Sequence, residues 1–290
     1  MKCINKWICL SLLIAVSCVS GCGKTSAAIE QPYDVYATAA DFGLSSNGTA
    51  EAKSYFASDL CVSEDVAIGT DSTDSQVAEG AGTFNLETNT VVYAKNLYER
   101  LYPASTTKIL TAYIALKYCD DLDAMVTVSE NAVNQASDSS VCNLKAGDVI
   151  RLRDLLYGLM LRSGNDAAVA IAEYISGDVD SFAALMNQEA AAMGATRSHF
   201  VNPNGLPDEN HYTCVYDMYL IFSNAIKNDT FVSIIGTTSY DVTYTDASGE
   251  AVTHTWENTN QYLTGNATTP DGFQIVGGKT GTTGEAGYCL

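Results

Sequence analysis

Ser105 and Lys108 stand three residues apart in "YPASTTK" (102–108), just before an apolar run that opens at Ile109. At helical spacing, residues i and i+3 share one face, so the hydroxyl and the amine would meet. A serine hydroxyl is a weak nucleophile until a base takes its proton. Lysine becomes that base when burial or a neighbouring cation disfavours its charged form. The start of a helix also supplies backbone N–H groups to a developing oxyanion. Two further motifs carry usable groups. Ser163-Gly164-Asn165 offers a hydroxyl and an amide, and Lys279-Thr280-Gly281 offers a second amine beside a glycine. Each has a plain reading too: Ser105 as a helix cap, 163–165 as a helix junction, and Lys279 as a surface lysine.

Positioning such groups needs rigid elements. The stretch 80–96 reads as two strands around a turn at 87–89, and 107–118 has apolar residues at helical spacing. The middle is helical: 152–176 forms two striped runs broken at 163–165. Next, 178–195 starts on a capping Asp178 or Ser181 and stops at Gly194. A turn-rich loop (201–213) leads to a helix over 214–228. Beyond about 230 the character returns to strand, with a hairpin around 245–250 and an apolar strand at 273–283 that ends in glycines. The order strand, helix, strand predicts an α+β fold. Strands from both ends build one antiparallel sheet, and the helical lobe is inserted between them, with a site in the cleft between the lobes.

Composition narrows the partners. The chain has 34 acidic and 15 basic residues, a formal charge of −19. That excludes a nucleic-acid binder, which needs clustered Lys and Arg against phosphate. Residues 1–22 hold Lys2 and Lys6, an apolar run to about Val19 and then "VSGC". This is the pattern of a lipoprotein-type signal peptide, with Cys22 as the lipidated residue and a membrane anchor as the result. Ordinary cleavage near "SAA" (26–28) is the alternative. Residues 23–55 read as a tether and 56–290 as the functional domain. Outside the signal, Cys61, Cys119, Cys142, Cys214 and Cys289 show no CxxC pair. A zinc site is not expected, and free apolar thiols are. His199, His211 and His254 lack metal spacing and read as structural or solvent-facing residues.

The three motifs match in order the S-x-x-K, S-D-N and K-T-G set of penicillin-binding proteins, with S-G-N in second place. With "LMLRSGNDAA" (159–168), "NPNGLPDENHYT" (202–213), "NTNQYL" (258–263) and "DGFQIVGGKTGTTGEAGYCL" (271–290), the chain resembles the low-molecular-mass penicillin-binding proteins. These are serine-type D-alanyl-D-alanine carboxypeptidases of the DD-peptidase/β-lactamase superfamily. The likeness runs from about residue 57 to the last residue. It implies that Ser105 attacks the carbonyl between two terminal D-alanines of a peptidoglycan stem peptide, with Lys108 as base. Ser163 would assist the leaving amine, and Asn165 would hold Lys108 and the substrate amide. Lys279, Thr280 and Thr282 would bind the substrate, and the N–H groups of Ser105 and Thr282 would form the oxyanion hole. Gly281 would allow close approach. The resemblance further implies β-lactam antibiotics as covalent inhibitors, no metal or other cofactor, and action at the extracytoplasmic face of a bacterial membrane. In that family further strands follow "AGYCL", so the sequence reads as C-terminally incomplete. A β-lactamase, with Glu209 or Glu173 as deacylating base, and a non-catalytic wall-binding protein are the competing functions.

Overall fold

In the computed structural model, residues 57–69 and 78–290 are described. The signal peptide, Cys22 and the tether (23–55) lie outside the described residues. The helix that carries Lys108 is the centre of the structure. This helix, α1 (Lys108–Tyr118), is buried on several sides through Ile109, Leu110, Ala112, Ile114 and Ala115. Apolar residues around its circumference leave it no solvent face over those turns. Around it pack α3 (Leu152–Leu161), α4 (Asn165–Ser176), α5 (Val179–Ala192), α6 (Val215–Ala225) and α7 (Asp229–Ile235). A one-turn helix, α2 (Glu130–Val133), lies against α4. The Asp178 carboxylate caps α5 by accepting from Ser181 N at 2.6 Å, and the chain turns at Gly194 with φ +84°. That backbone conformation is open to glycine at little cost.

The strands pair antiparallel throughout. β1 (Ala81–Asn85) pairs with β2 (Thr90–Lys95), with a bulge at Thr83/Phe84. A four-stranded sheet has the order β3 (Met125–Thr127), β4 (Val149–Arg151), β5 (Ser239–Thr245), β6 (Ala251–Glu257). The β5–β6 hairpin runs in register from Ser239↔Glu257 to Thr245↔Ala251, and turns Val242, Tyr244 and Trp256 inward. β7 (Gly281–Thr283) pairs with β8 (Gly287–Cys289).

Three expectations need correction. Among the described residues, the strands from the two ends do not share one sheet; three separate sheets form. β1–β2 instead closes a satellite core, where Phe84 and Val91 pack with Cys61, Tyr219 and Leu220. The apolar run at 273–276 is not a strand. Gly277 approaches the Ile235 carbonyl so closely that a Cβ there would lie 2.6 Å from the oxygen, and regular pairing starts only at Gly281. Residues 229–235 are helical although "TFVSII" has strand propensity. Asn228 Oδ1 accepts from Thr230 N and Phe231 N, and Phe231, Ile234 and Ile235 recur at helical spacing on the buried side. Tertiary burial decides such short β-branched runs. Among the described residues no helix is long and apolar enough to cross a membrane.

Candidate active site

Ser105 sits not in the α-helix but in a 3₁₀ turn, Ala104–Thr107, that feeds into α1. The Pro103 carbonyl accepts Thr106 N at 3.2 Å and Thr106 Oγ1 at 2.6 Å, which tightens the turn. Ala104, before the serine, is left-handed at φ +46° and 1% exposed. A non-glycine residue there costs on the order of 1 kcal/mol, a strain seen often at functional sites.

Lys108 is fully buried. Its Nζ lies 2.9 Å from Ser105 Oγ, 2.8 Å from Asn165 Oδ1 and 2.6 Å from the Asn204 carbonyl oxygen. Burial drives its pKa well below the ordinary lysine value, and the Lys279 ammonium pushes the same way. The proton count then closes. A neutral amine has two N–H groups and one lone pair. In that form the two carbonyl oxygens can take the N–H groups, and the lone pair can accept from the Ser105 hydroxyl.

The second motif arrives at the junction of α3 and α4. Ser163 is left-handed (φ +59°), and its Oγ lies 3.0 Å from Lys279 Nζ. Gly164 is required by space, since a Cβ would fall 2.4 Å from Cys142 Sγ. Asn165 opens α4, and its N–H donates to the Ser140 carbonyl at 2.8 Å. Lys279 is 3% exposed; burial lowers its pKa to about 7. Gly281 presses on the nucleophile turn, where a Cβ would stand 2.8 Å from Ser105 N and 3.1 Å from Ala104 Cβ. Thr280, Gly281 and Thr282 line, with Ser105 and Ser163, a cleft of about 420 Å³. The other lining residues are Ser140, Thr259, Asn260, Gln261, Tyr262, Tyr288, Cys289 and Leu290, so among the described residues no Asp or Glu side chain lines the cleft. The seven residues singled out in the three motifs, with Thr282 beside them, therefore converge. Glu173 does not join them: it accepts from Ser129 and Asn131. Glu209 is exposed and is not part of the lining either.

Residues 69–290 match the family model described as D-alanyl-D-alanine carboxypeptidase, peptidase S11. The chain belongs to the S11 peptidase family. It is 35% identical over 220 residues to D-alanyl-D-alanine carboxypeptidase DacF of Bacillus subtilis, covering 73% of this chain and 53% of that protein. It is 36% identical over 223 residues to a D-alanyl-D-alanine carboxypeptidase of Streptomyces sp. strain K15, covering 73% and 75%. The crystal structure of the Streptomyces K15 DD-transpeptidase is similar at a TM-score of 0.69 and 35% identity, covering 74% of this chain and 84% of that one. The chain thus spans about half the length of the Bacillus relative.

In this S11 family member, residues outside the motifs also pack around the site. The loop 201–213 underlies the nucleophile turn. It supplies the Asn204 carbonyl to Lys108 and the Pro203 carbonyl to Thr111 Oγ1 at 2.7 Å. His211 is buried; its Nδ1 accepts from Val201 N at 3.1 Å, so Nε2 carries the proton and donates to Thr107 Oγ1 at 2.9 Å. Burial lowers its pKa to about 4, against the opposing charge of Asp208. Asp166, 2% exposed, accepts the N–H groups of Cys142, Leu144 and Ala167 within 3.1 Å and ties the loop that carries Ser140 to α4. The only sequence signal for these residues was their place inside the longer quoted stretches. The five cysteines outside the signal are all free thiols, three of them buried. Among the described residues no group of three His, Cys, Asp or Glu side chains is placed to hold a metal ion.

Proposed function

We infer that this S11 family member is a serine-type D-alanyl-D-alanine carboxypeptidase that removes the terminal D-alanine from peptidoglycan stem peptides. In the first step Ser105 Oγ bonds to the carbonyl carbon of the penultimate D-alanine, and its proton passes to Lys108 Nζ. The oxyanion is held by the backbone N–H groups of Ser105 and Thr282. The C–N bond then breaks. The proton returns through Ser163 to the departing amine, and free D-alanine leaves an ester on Ser105. Water attacks that ester, its proton goes to the basic network, and the shortened peptide is released. Asn165 holds Lys108 and the substrate amide. Lys279 draws in the terminal carboxylate, Thr280 and Thr282 contact the peptide along the strand edge, and Gly281 lets the peptide lie against β7.

The observation that carries this reading is the setting of Lys108: a fully buried amine within 2.9 Å of Ser105 Oγ, Asn165 Oδ1 and the Asn204 carbonyl, with its pKa driven well down by burial. The same chemistry makes β-lactams covalent inhibitors. A cleft whose described lining holds no Asp or Glu side chain disfavours the β-lactamase reading, which needs a carboxylate base to activate the deacylating water for rapid turnover. The test measures D-alanine release from a peptide ending in D-Ala-D-Ala, together with the intact mass after incubation with penicillin. Wild type should release D-alanine and keep a penicillin adduct; Ser105→Ala should do neither. An adduct on Ser105→Ala would assign the wrong nucleophile, fast loss of the wild-type adduct would favour a lactamase, and a folded wild type without any adduct would favour a wall-binding role.

We also infer export and tethering at the extracytoplasmic membrane face through an acylated Cys22. The support is the "VSGC" pattern of residues 19–22 alone. Fatty-acid labelling that persists in Cys22→Ser would refute it.

A further inference from the structure

Three threonines line the cleft: Thr259, Thr280 and Thr282. Lys279 is 3% exposed and is not among the lining residues, with its Nζ engaged by Ser163 Oγ and the Thr280 carbonyl. An incoming carboxylate therefore meets hydroxyls before it meets the ammonium. Counting protons shows which hydroxyl is free. Thr282 Oγ1 donates to the Gly281 carbonyl at 2.8 Å, so its proton is committed. Thr259 Oγ1 and Thr280 Oγ1 lie 2.9 Å apart and share one hydrogen bond. Two hydroxyls own two protons and one bond uses one of them, so one O–H of the pair is left over for a ligand. The bond inside the pair polarises that remaining donor and strengthens it.

Thr259 is held in place from both sides. Its own N–H donates to the Leu161 carbonyl at 3.2 Å, at the end of α3 just before Ser163. The neighbouring Asn258 and Asn260 are buried: Asn258 Nδ2 donates to the Thr237 carbonyl at 2.9 Å, and Asn258 Oδ1 accepts Asn260 N at 2.9 Å. Thr259 thus bridges the element that carries Ser163 and the strand approach that carries Thr280.

We propose that Thr259 is a specificity-determining residue, forming with Thr280 a hydroxyl pair that recognises the terminal carboxylate of the peptide substrate. Either hydroxyl can face the anion, and in both arrangements the partner fixes its direction. This rests on the carboxypeptidase reading above.

The test compares two peptides with wild type, Thr259→Val, Thr259→Ser and Thr259→Ala: one ending in D-Ala-D-Ala with a free carboxylate, the other its C-terminal amide. Wild type should prefer the carboxylate. Thr259→Val should raise KM for the carboxylate peptide about ten- to hundredfold, as expected for losing one hydrogen bond that serves a charged acceptor, with a much smaller change in kcat. It should leave the amide peptide almost untouched, so the preference shrinks. Thr259→Ser, which keeps the hydroxyl, should restore the preference. A wild-type preference that survives in Thr259→Val overturns the proposal, and so does an equal loss on both peptides, which marks a merely structural role. If Thr259→Val does not fold, the Ser and Ala variants make the same comparison. A wild type that releases no D-alanine from either peptide removes the underlying carboxypeptidase reading and the proposal with it, and is distinct from activity without discrimination.

Discussion

Gly205→Ala tests how the loop 201–213 supports the nucleophile. Gly205 has φ +89°, and an added Cβ would stand 1.8 Å from the Ala104 carbonyl oxygen. Real Cβ contacts are essentially never below 3.0 Å, so the two segments must part by at least 3.0 − 1.8 = 1.2 Å. Neither side yields cheaply. Asn202 Oδ1 accepts Gly205 N at 2.7 Å, Asn202 Nδ2 donates to the Leu206 carbonyl at 2.9 Å, and Ala104 is wedged against Gly281. The residue before Gly205 supplies the carbonyl that accepts from Lys108 at 2.6 Å, so the shift withdraws that acceptor. The left-handed backbone costs about 1 kcal/mol for alanine. The stranded N–H of Lys108 costs about 1–3 kcal/mol more. Together they predict a loss of about 2–4 kcal/mol, and a fall in melting temperature of roughly 5–15 °C for a domain of this size. Displacing the base and nucleophile by about 1 Å should slow acylation on the order of 100-fold. Thermal unfolding and the rate of penicillin adduct formation by intact mass measure both. An unchanged melting temperature together with wild-type acylation would refute the reasoning, because the clash and the lost acceptor would then have no consequence.

Lys279, with a pKa lowered by burial to about 7, should bind the substrate carboxylate as a cation below that pH and lose that contact above it. KM for the free-carboxylate peptide should therefore rise with pH beyond about 7, and Lys279→Arg should flatten the rise because guanidinium stays charged. On stability the sign runs the other way. Between about 7 and the ordinary lysine value of 10.5 the unfolded chain binds more protons at this site than the folded one, so stability gains as pH increases through that window. Lys279→Met should reduce that slope in denaturant melts, and an identical slope would contradict the burial cost. Asp166→Ala leaves three backbone N–H groups without their acceptor, those of Cys142, Leu144 and Ala167. A loss of about 3–5 kcal/mol should follow, read as a melting temperature roughly 10 °C lower. Faster amide exchange at Cys142 and Leu144 should accompany it, and protection equal to wild type would show that the carboxylate does not hold the loop.

Much of the site was legible in the residues because its chemistry needs particular side chains. Ser105, Lys108, Asn165 and Lys279 have few substitutes for the proposed tasks of nucleophile, base, amide and cation, and the helices that carry Lys108 and Asn165 follow from apolar spacing. The elements that were missed are those where short-range propensity loses to packing. The 229–235 helix is written in β-branched residues, β3 and β4 have only three residues each, and the apolar run at 273–276 stays unpaired because Gly277 is pinned against Ile235.

By itself the sequence determined the identities and order of the three motifs, the helices that carry Lys108 and Asn165 and the membership in a peptidase family. Tertiary structure alone decided that the Lys108 amine is held well below the ordinary lysine pKa beside Ser105. That outcome needs complete burial, a second amine nearby and a carbonyl from residue 204, and these come from segments up to 171 residues apart along the chain, from 108 to 279. Ionisation depends on the dielectric and on the partners that surround a group in space, and neither is a property of its neighbours along the chain.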